Sequence, residues 1–108
     1  MPSSCQAIFA AMPSSFKPEA AQGLDATYQF DLSGEGGGKW YVVIKDQTCQ
    51  VHEGSHTSPS VTLSMTAQDY VDMINGQANG QVLFMTGRLR IAGDLGLAIR
   101  MQSLFQQG

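Results

Sequence analysis

The chain has 108 residues, 43% of them hydrophobic, and a formal net charge of -3 at neutral pH. This length predicts a single domain, 1–108, and the acidic balance argues against nucleic acid as a partner, because binding phosphates requires a basic surface. No apolar run approaches the roughly 18 residues of a membrane span, so stable membrane insertion is not expected.

The first third of the chain, residues 3–24, is predicted to be helical. A serine at position 3 or 4 can cap a helix that runs to Met12 and that Pro13 ends. Pro18 then suits the first turn of a second helical segment, which Gly23 terminates.

After this part the apolar period changes from that of a helix to the two-residue period of strands. A glycine-rich turn over 34–38 separates the first two strands and predicts an antiparallel hairpin. A third strand covers about 48–52. The alternating apolar positions are Tyr28, Phe30 and Leu32, then Trp40, Val42 and Ile44, and on a fourth strand Val61, Leu63 and Met65.

The segment that follows the fourth strand predicts a capped helix. Thr66 and Asp69 have the spacing of a capping box, with Asp69 as a capping residue, and Gly76 ends the helix. Its apolar positions are Tyr70, Met73 and Ile74. Residues 82–85, which include Phe84 and Met85, form a short apolar helix or turn closed by Gly87.

The last part of the chain predicts a fifth strand and a final helix. Leu89 and Ile91 face inward, while Arg88 and Arg90 share the outer face. Asp94 can cap a helix whose apolar stripe is Leu97, Met101, Leu104 and Phe105. The order of elements predicts an α+β fold: a five-stranded, mostly antiparallel sheet, covered on one face by helices, with sheet and C-terminal helices over 26–106.

One motif resembles a metal site. His52, Glu53 and His56 match the HExxH pattern of zinc hydrolases, which requires a helix to present both imidazoles to one metal. Gly54 and Ser55 disfavour a helix, and a strand end followed by a loop is predicted instead. A metal-dependent hydrolase is therefore the second hypothesis, and no metal or cofactor is expected.

Three further features bear on function. Two cysteines, Cys5 and Cys49, are too few for a disulfide framework and predict free thiols. The chain shows no secretory signal and no peroxisomal tripeptide, so a cytoplasmic location is expected. Arg88 and Arg90 could hold a carboxylate or phosphate, although a solvated sheet edge is the favoured interpretation.

Four motifs in order resemble the sterol carrier protein 2 (SCP2) family. They are YQFDLSG over 28–34, KWYV over 39–42, VTLSMT over 61–66 and FMTGRLRIAGDLGLAIRMQ over 84–102. The resemblance covers about 16–105. It implies a mixed five-stranded sheet with a hydrophobic tunnel beneath the helices, and binding of fatty acids, acyl-CoA, sterols or phospholipids without catalysis.

The apolar residues of the predicted inner faces are the candidates for lining this tunnel. They are Phe30, Leu32, Trp40, Val42, Ile44, Tyr70, Met73, Ile74, Phe84, Met85, Leu89, Ile91, Leu97, Met101, Leu104 and Phe105. Five internal methionines suit a site that repacks around its ligand, although ordinary core packing is the favoured interpretation from composition alone. The final helix is the expected gate.

The resemblance predicts a non-enzymatic lipid carrier, acting as a monomer or weak homodimer, with an interaction module for a separate lipid enzyme as a third hypothesis. A rigid, dry tunnel of ~500 Å³ would cost roughly 12 kcal/mol, comparable with the whole stability of a small domain. The tunnel is therefore expected to be partly collapsed, filled with water, or occupied by carried lipid.

Overall fold

Five strands and four α-helices make up the fold, which a computed structural model describes over residues 4–104. In chain order they are α1 (Cys5–Ser15), a 3-10 turn (Pro18–Ala21), β1 (Ala26–Ser33), β2 (Gly38–Lys45), β3 (Thr48–Glu53), β4 (Val61–Thr66), α2 (Ala67–Ile74), α3 (Gly80–Met85), β5 (Arg90–Gly93) and α4 (Leu95–Leu104). This order confirms the predicted succession of elements.

The strands form one mixed sheet in the order β3-β2-β1-β4-β5. Three neighbouring pairs are antiparallel, and β1 pairs with β4 in parallel. The parallel pair arises because the chain leaves β3 at one edge and returns through residues 54–60 to the other side of β1. The predicted mostly antiparallel, mixed sheet is thereby confirmed.

The strand register places one apolar row against the helices. Phe30 is opposite Trp40 on β2 and Leu63 on β4, and cross-strand partners point to the same face. Phe9 of α1 and Tyr70 of α2 both contact the ring of Phe30, at centroid distances of 5.2 and 5.6 Å. Helices therefore cover this inner face, as the apolar alternation predicts.

Helix α1 extends past the proline that the sequence predicts as its end. Pro13 lies inside the helix, which continues to Ser15. Proline removes only its own N–H bond to the carbonyl four residues earlier, here that of Phe9, and a helix that ends within the next turn tolerates this loss. Ser4 caps the other end, where its Oγ accepts from the Ala7 N–H at 3.2 Å.

Strand β5 begins later than predicted. Arg88 and Leu89 lie in the preceding turn, where both of their N–H groups donate to the Leu83 carbonyl at 2.9 Å. Gly93 ends the strand with a φ of 104°, and a Cβ atom there would lie 2.6 Å from the carbonyl oxygen of Ser60. The sheet therefore requires glycine at this close contact.

The helices of residues 4–104 are short, and α1, the longest at 11 residues, is about half the length that a membrane crossing requires. Across these residues, no helix combines the length and the apolar content of a membrane span.

Candidate functional site

An aromatic cluster fills part of the layer between the sheet and the helices. The ring of Phe9 stacks on Trp40, at a centroid distance of 4.7 Å, and on Tyr70, at 5.3 Å. It also meets Phe30 edge-on at 5.2 Å. These are contact distances, so Phe9 occupies the space beside three of the residues predicted to line the tunnel.

Phe9 is absent from the predicted lining because the sequence interpretation places the site on the sheet and the later helices. Its position on the apolar face of α1, together with Ile8 and Met12, is visible in the sequence. The three rings that Phe9 contacts cannot be identified from the sequence, because they lie between 21 and 61 residues further along the chain. Whether a tunnel opens between the sheet and the helices stays a prediction.

Tyr70 carries a buried hydroxyl group. The residue is fully buried, and within the described part of the chain its Oη has no hydrogen-bond partner. Burial raises the pKa of the phenol above its ordinary value, and the nearby Cys5 adds to this rise. Leaving such a group unpaired costs about 1–3 kcal/mol, so the hydroxyl is available to a polar atom of a ligand.

Tyr28 joins the sheet to the last helix. Its side chain is fully buried on the inner face of β1, and its Oη donates to the backbone carbonyl of Leu97 at 2.8 Å. Burial raises the pKa of this phenol to about 12, while Arg100 lowers it and Asp94 raises it further. The predicted gate, α4, is thus held by a hydrogen bond that periodicity could not reveal.

A groove of about 790 Å³ opens where the parallel strands β1 and β4 end. Buried apolar side chains, Leu32 and Met65, contribute to its wall, so the groove reaches the edge of the core. Its rim is polar. Lys39, Asp31, Ser64 and Arg90 form a continuous cross-strand row on the outer face of the sheet.

An ion pair with a buried carboxylate holds one side of this groove. The carboxylate of Asp69 is buried and accepts from Nε of Arg88 at 3.2 Å and from Nη2 of the same guanidinium. Arg88 is exposed, as the favoured interpretation of a solvated edge predicts, but the turn before β5 directs its guanidinium toward α2, where it pairs with Asp69. Thr66 caps α2, as the capping-box spacing predicts, since its Oγ1 accepts from the Asp69 N–H at 3.1 Å. The Asp69 carboxylate, predicted to be part of the cap, binds Arg88.

The remaining predicted lining residues divide by burial. Leu32, Val42, Ile44, Leu89 and Leu104 are buried in the core, whereas Met73, Ile74, Ile91, Leu97 and Met101 are half-buried against it. Phe84 and Met85 are exposed, because α3 turns only Leu83 inward. Phe105 lies outside the described residues. Whether these positions contact a lipid stays a prediction.

The HExxH residues adopt a strand and a loop, as predicted. His52 lies in β3 opposite Tyr41, and the loop is held to β1 because Oε1 of Gln29 accepts from the His56 N–H at 2.8 Å. Both imidazoles contact the Tyr41 ring, at centroid distances of 5.0 and 5.2 Å. Across residues 4–104, no three His, Cys, Asp or Glu side chains converge as metal ligands.

The two cysteines are free thiols. Cys5 is buried, and its Sγ donates to the Ala67 carbonyl at 3.8 Å. Burial raises the pKa of the Cys5 thiol and raises that of Cys49 to about 11. Since the thiolate is the nucleophilic form, neither residue has the environment of a catalytic cysteine.

Comparison with known proteins identifies this architecture. A family model described as the SCP-2 sterol transfer family matches residues 6–106. A mouse relative, hydroxysteroid dehydrogenase-like protein 2 (Mus musculus), is 35% identical over 100 residues, which are 92% of this chain and 20% of the relative. The chain therefore spans about a fifth of that relative's length.

Solved structures agree on the fold. Sterol carrier protein 2 from Yarrowia lipolytica, in its apo form, is 24% identical with a TM-score of 0.75, over 89% of this chain and 84% of that one. Palmitated SCP2L2 from Aedes aegypti is 22% identical with a TM-score of 0.70, over 94% and 93% of the two chains.

Proposed function

The chain belongs to the SCP-2 sterol transfer family, and we propose that it binds a single-chain lipid between its sheet and its helices and carries that lipid unchanged. The observation that carries this proposal is the aromatic cluster around Phe9. One ring from the N-terminal helix fills a slot walled by Trp40, Phe30 and Tyr70. An acyl chain can take the place of this ring with little loss of apolar contact.

The composition of the core that contains the slot favours such an exchange. Met65 is buried in the same core, and Met73 and Met101 are half-buried against it. Methionine side chains are flexible and adapt to irregular ligands. The core can therefore close around Phe9 without lipid and repack when Phe9 moves away.

The groove at the end of β1 and β4 suits the polar end of the lipid. It joins buried Leu32 and Met65 to the cationic side chains of Lys39 and Arg90, while Asp31 and the Arg88–Asp69 ion pair also line it. A carboxylate or phosphate at the rim would be paired with Lys39 and Arg90, while the chain attached to it enters the core. Fatty acids have this architecture, and the palmitated insect relative supports palmitate as the first ligand to test.

Lipid binding is tested by titrating delipidated protein with palmitate and following its melting temperature. We expect saturable binding and a rise of the melting temperature, because a ligand that binds only the folded state stabilises it. Native mass spectrometry gives the stoichiometry, one palmitate per chain. Tyr41→Phe, on the outer face of β2, serves as the control and leaves the affinity unchanged. An unchanged melting temperature at saturating palmitate would contradict the proposal.

The hydrolase hypothesis receives no support from the geometry, because His52 and His56 contact the Tyr41 ring from a strand and a loop rather than sharing one helix face. Stoichiometric zinc in the purified protein, lost on His52→Ala, would revive it. Presentation of the lipid to a separate enzyme is a variant of the carrier proposal. It gains support from the mouse relative, in which the matching segment is one part of a longer protein.

A further inference from the structure

The hydroxyl group of Tyr70 lies among the aromatic rings of the core. The residue is fully buried, and its ring packs on Phe9 and Phe30 at centroid distances of 5.3 and 5.6 Å. Among residues 4–104, no polar atom pairs with its Oη. A phenylalanine at this position would keep both ring contacts without burying an unpaired polar group. The hydroxyl therefore costs stability rather than adding to it.

Three other buried polar side chains are paired. Tyr28, which is equally buried, donates to the backbone of α4 at 2.8 Å. The amide oxygen of Gln29 accepts from the loop after β3 at 2.8 Å, and the carboxylate of Asp69 accepts from a guanidinium at 3.2 Å. Because burial without a partner is unusual for a polar group, the Tyr70 hydroxyl suits a hydrogen bond that forms only when a ligand is present.

Helix α1 covers Tyr70 along two of its turns. Phe9 stacks on the Tyr70 ring, with 13° between the two planes. Cys5 lies one turn earlier on the same helix face, and its Sγ donates to the carbonyl of Ala67, which precedes Tyr70 by three residues on α2. The Cys5 thiol is near enough to raise the pKa of the phenol. Movement of α1 away from the sheet therefore clears the ring of Tyr70 and the space beside its hydroxyl together.

We propose that Tyr70 is a specificity-determining residue for fatty acids whose chain carries a neutral oxygen, as an in-chain hydroxyl or keto group. The chain takes the place of the Phe9 ring, and the Tyr70 hydroxyl donates a hydrogen bond to the oxygen of the chain. This inference rests on the proposed carrier function and deepens it, because it names the class of fatty acid that the core prefers. A saturated chain leaves the Tyr70 hydroxyl unpaired.

The surroundings of Tyr70 favour a neutral oxygen over a carboxylate. A charged group among aromatic rings would lose its hydration without gaining a counter-ion, whereas at the groove rim it meets the cations of Lys39 and Arg90. Burial raises the pKa of the Tyr70 phenol, so the group stays a hydrogen-bond donor at neutral pH. The two ends of the site thus select different parts of one ligand: the rim selects its acid group, and Tyr70 selects the oxygen on its chain.

The test compares stearate with three stearates that each carry one hydroxyl group, placed near the carboxylate, in the middle of the chain or at its end. Delipidated protein is titrated with each ligand by isothermal titration calorimetry. The isomer whose hydroxyl reaches Tyr70 should bind roughly tenfold more tightly than stearate, the ratio expected for one hydrogen bond to a buried neutral group. In Tyr70→Phe this ratio should fall to about one, because the donor is gone.

Tyr28→Phe is the matched control, since it removes the hydroxyl of the other fully buried tyrosine. That hydroxyl already donates to the Leu97 carbonyl, so its loss should leave the preference for the hydroxylated chain in place. Loss of the preference in both variants would overturn the assignment to Tyr70. The infrared carbonyl band of a bound keto stearate gives a second readout. It should lie at lower frequency in the parent protein than in Tyr70→Phe, and equal frequencies would contradict the hydrogen bond.

Binding of unsubstituted stearate separates this inference from the carrier function. If the parent protein binds stearate and all three hydroxystearates with the same affinity, selection by Tyr70 is overturned and the carrier function stands. If the parent protein binds none of the four, the carrier function is contradicted, and the inference that rests on it fails with it.

Discussion

The phenol of Tyr28 in β1 donates a 2.8 Å hydrogen bond to the backbone carbonyl of Leu97 in α4. The two residues are 69 positions apart, and the bond ties the last helix to the middle of the sheet. Any outward movement of α4 must break it. In the aromatic slot, by contrast, the side chain of Phe9 is held only by apolar ring contacts among those described, which under the proposed function a lipid chain replaces. We therefore expect α1, rather than α4, to move away from the sheet first when lipid enters.

The two fully buried tyrosines should respond in opposite ways to loss of the hydroxyl group. Tyr28→Phe removes one hydrogen bond and should lower the free energy of unfolding by about 1 kcal/mol. Tyr70→Phe removes a hydroxyl without a partner among the described residues and should raise it by up to about 1 kcal/mol. Urea denaturation of both variants measures the difference. Equal destabilisation would contradict these hydrogen-bond assignments.

Alkaline pH should destabilise the protein through Tyr28. The pKa of its phenol is raised from 10.0 to about 12 in the folded state, so the folded state holds this proton more tightly than the unfolded state. The stabilisation is complete below pH 10.0 and is lost as pH rises toward about 12. Unfolding free energies measured across this range should fall less steeply for Tyr28→Phe. A parallel fall in both proteins would exclude Tyr28 as a major contributor.

Phe9→Ala should open the aromatic slot. The truncation is expected to lower the free energy of unfolding by about 3–5 kcal/mol and to leave an apolar cavity beside Trp40 and Tyr70. Palmitate should recover more stability in this variant than in the parent, since no ring has to be displaced. Met12→Ala, a truncation of another buried side chain on the same helix, is the control. It should lower the free energy of unfolding without increasing the stabilisation by palmitate. Identical ligand responses of the two variants would argue against Phe9 as the occupant of the lipid slot.

Two glycines with positive φ should differ in their tolerance of alanine. Gly87, with φ of 78°, has open space where a Cβ atom would lie, and its replacement should cost about 1–2 kcal/mol from backbone strain alone. At Gly93, with φ of 104°, the added atom would also lie 2.6 Å from the Ser60 carbonyl oxygen. Gly93→Ala should therefore lower the melting temperature considerably more than Gly87→Ala. The reverse order would be incompatible with this close contact between β4 and β5.

The sequence by itself determined the inner faces of the strands, the α+β class and the cap at Thr66, because periodicity and capping are local properties of the chain. It also excluded a helical HExxH site, since Gly54 and Ser55 disfavour a helix wherever the segment lies. Only the tertiary structure decided which residues meet: Phe9 with Trp40 and Tyr70, Arg88 with Asp69, and Tyr28 with Leu97. An apolar period states which side of an element is buried, but not which element covers it. The partners depend on the order of strands and the course of the connecting turns, and these are set by packing over the whole chain.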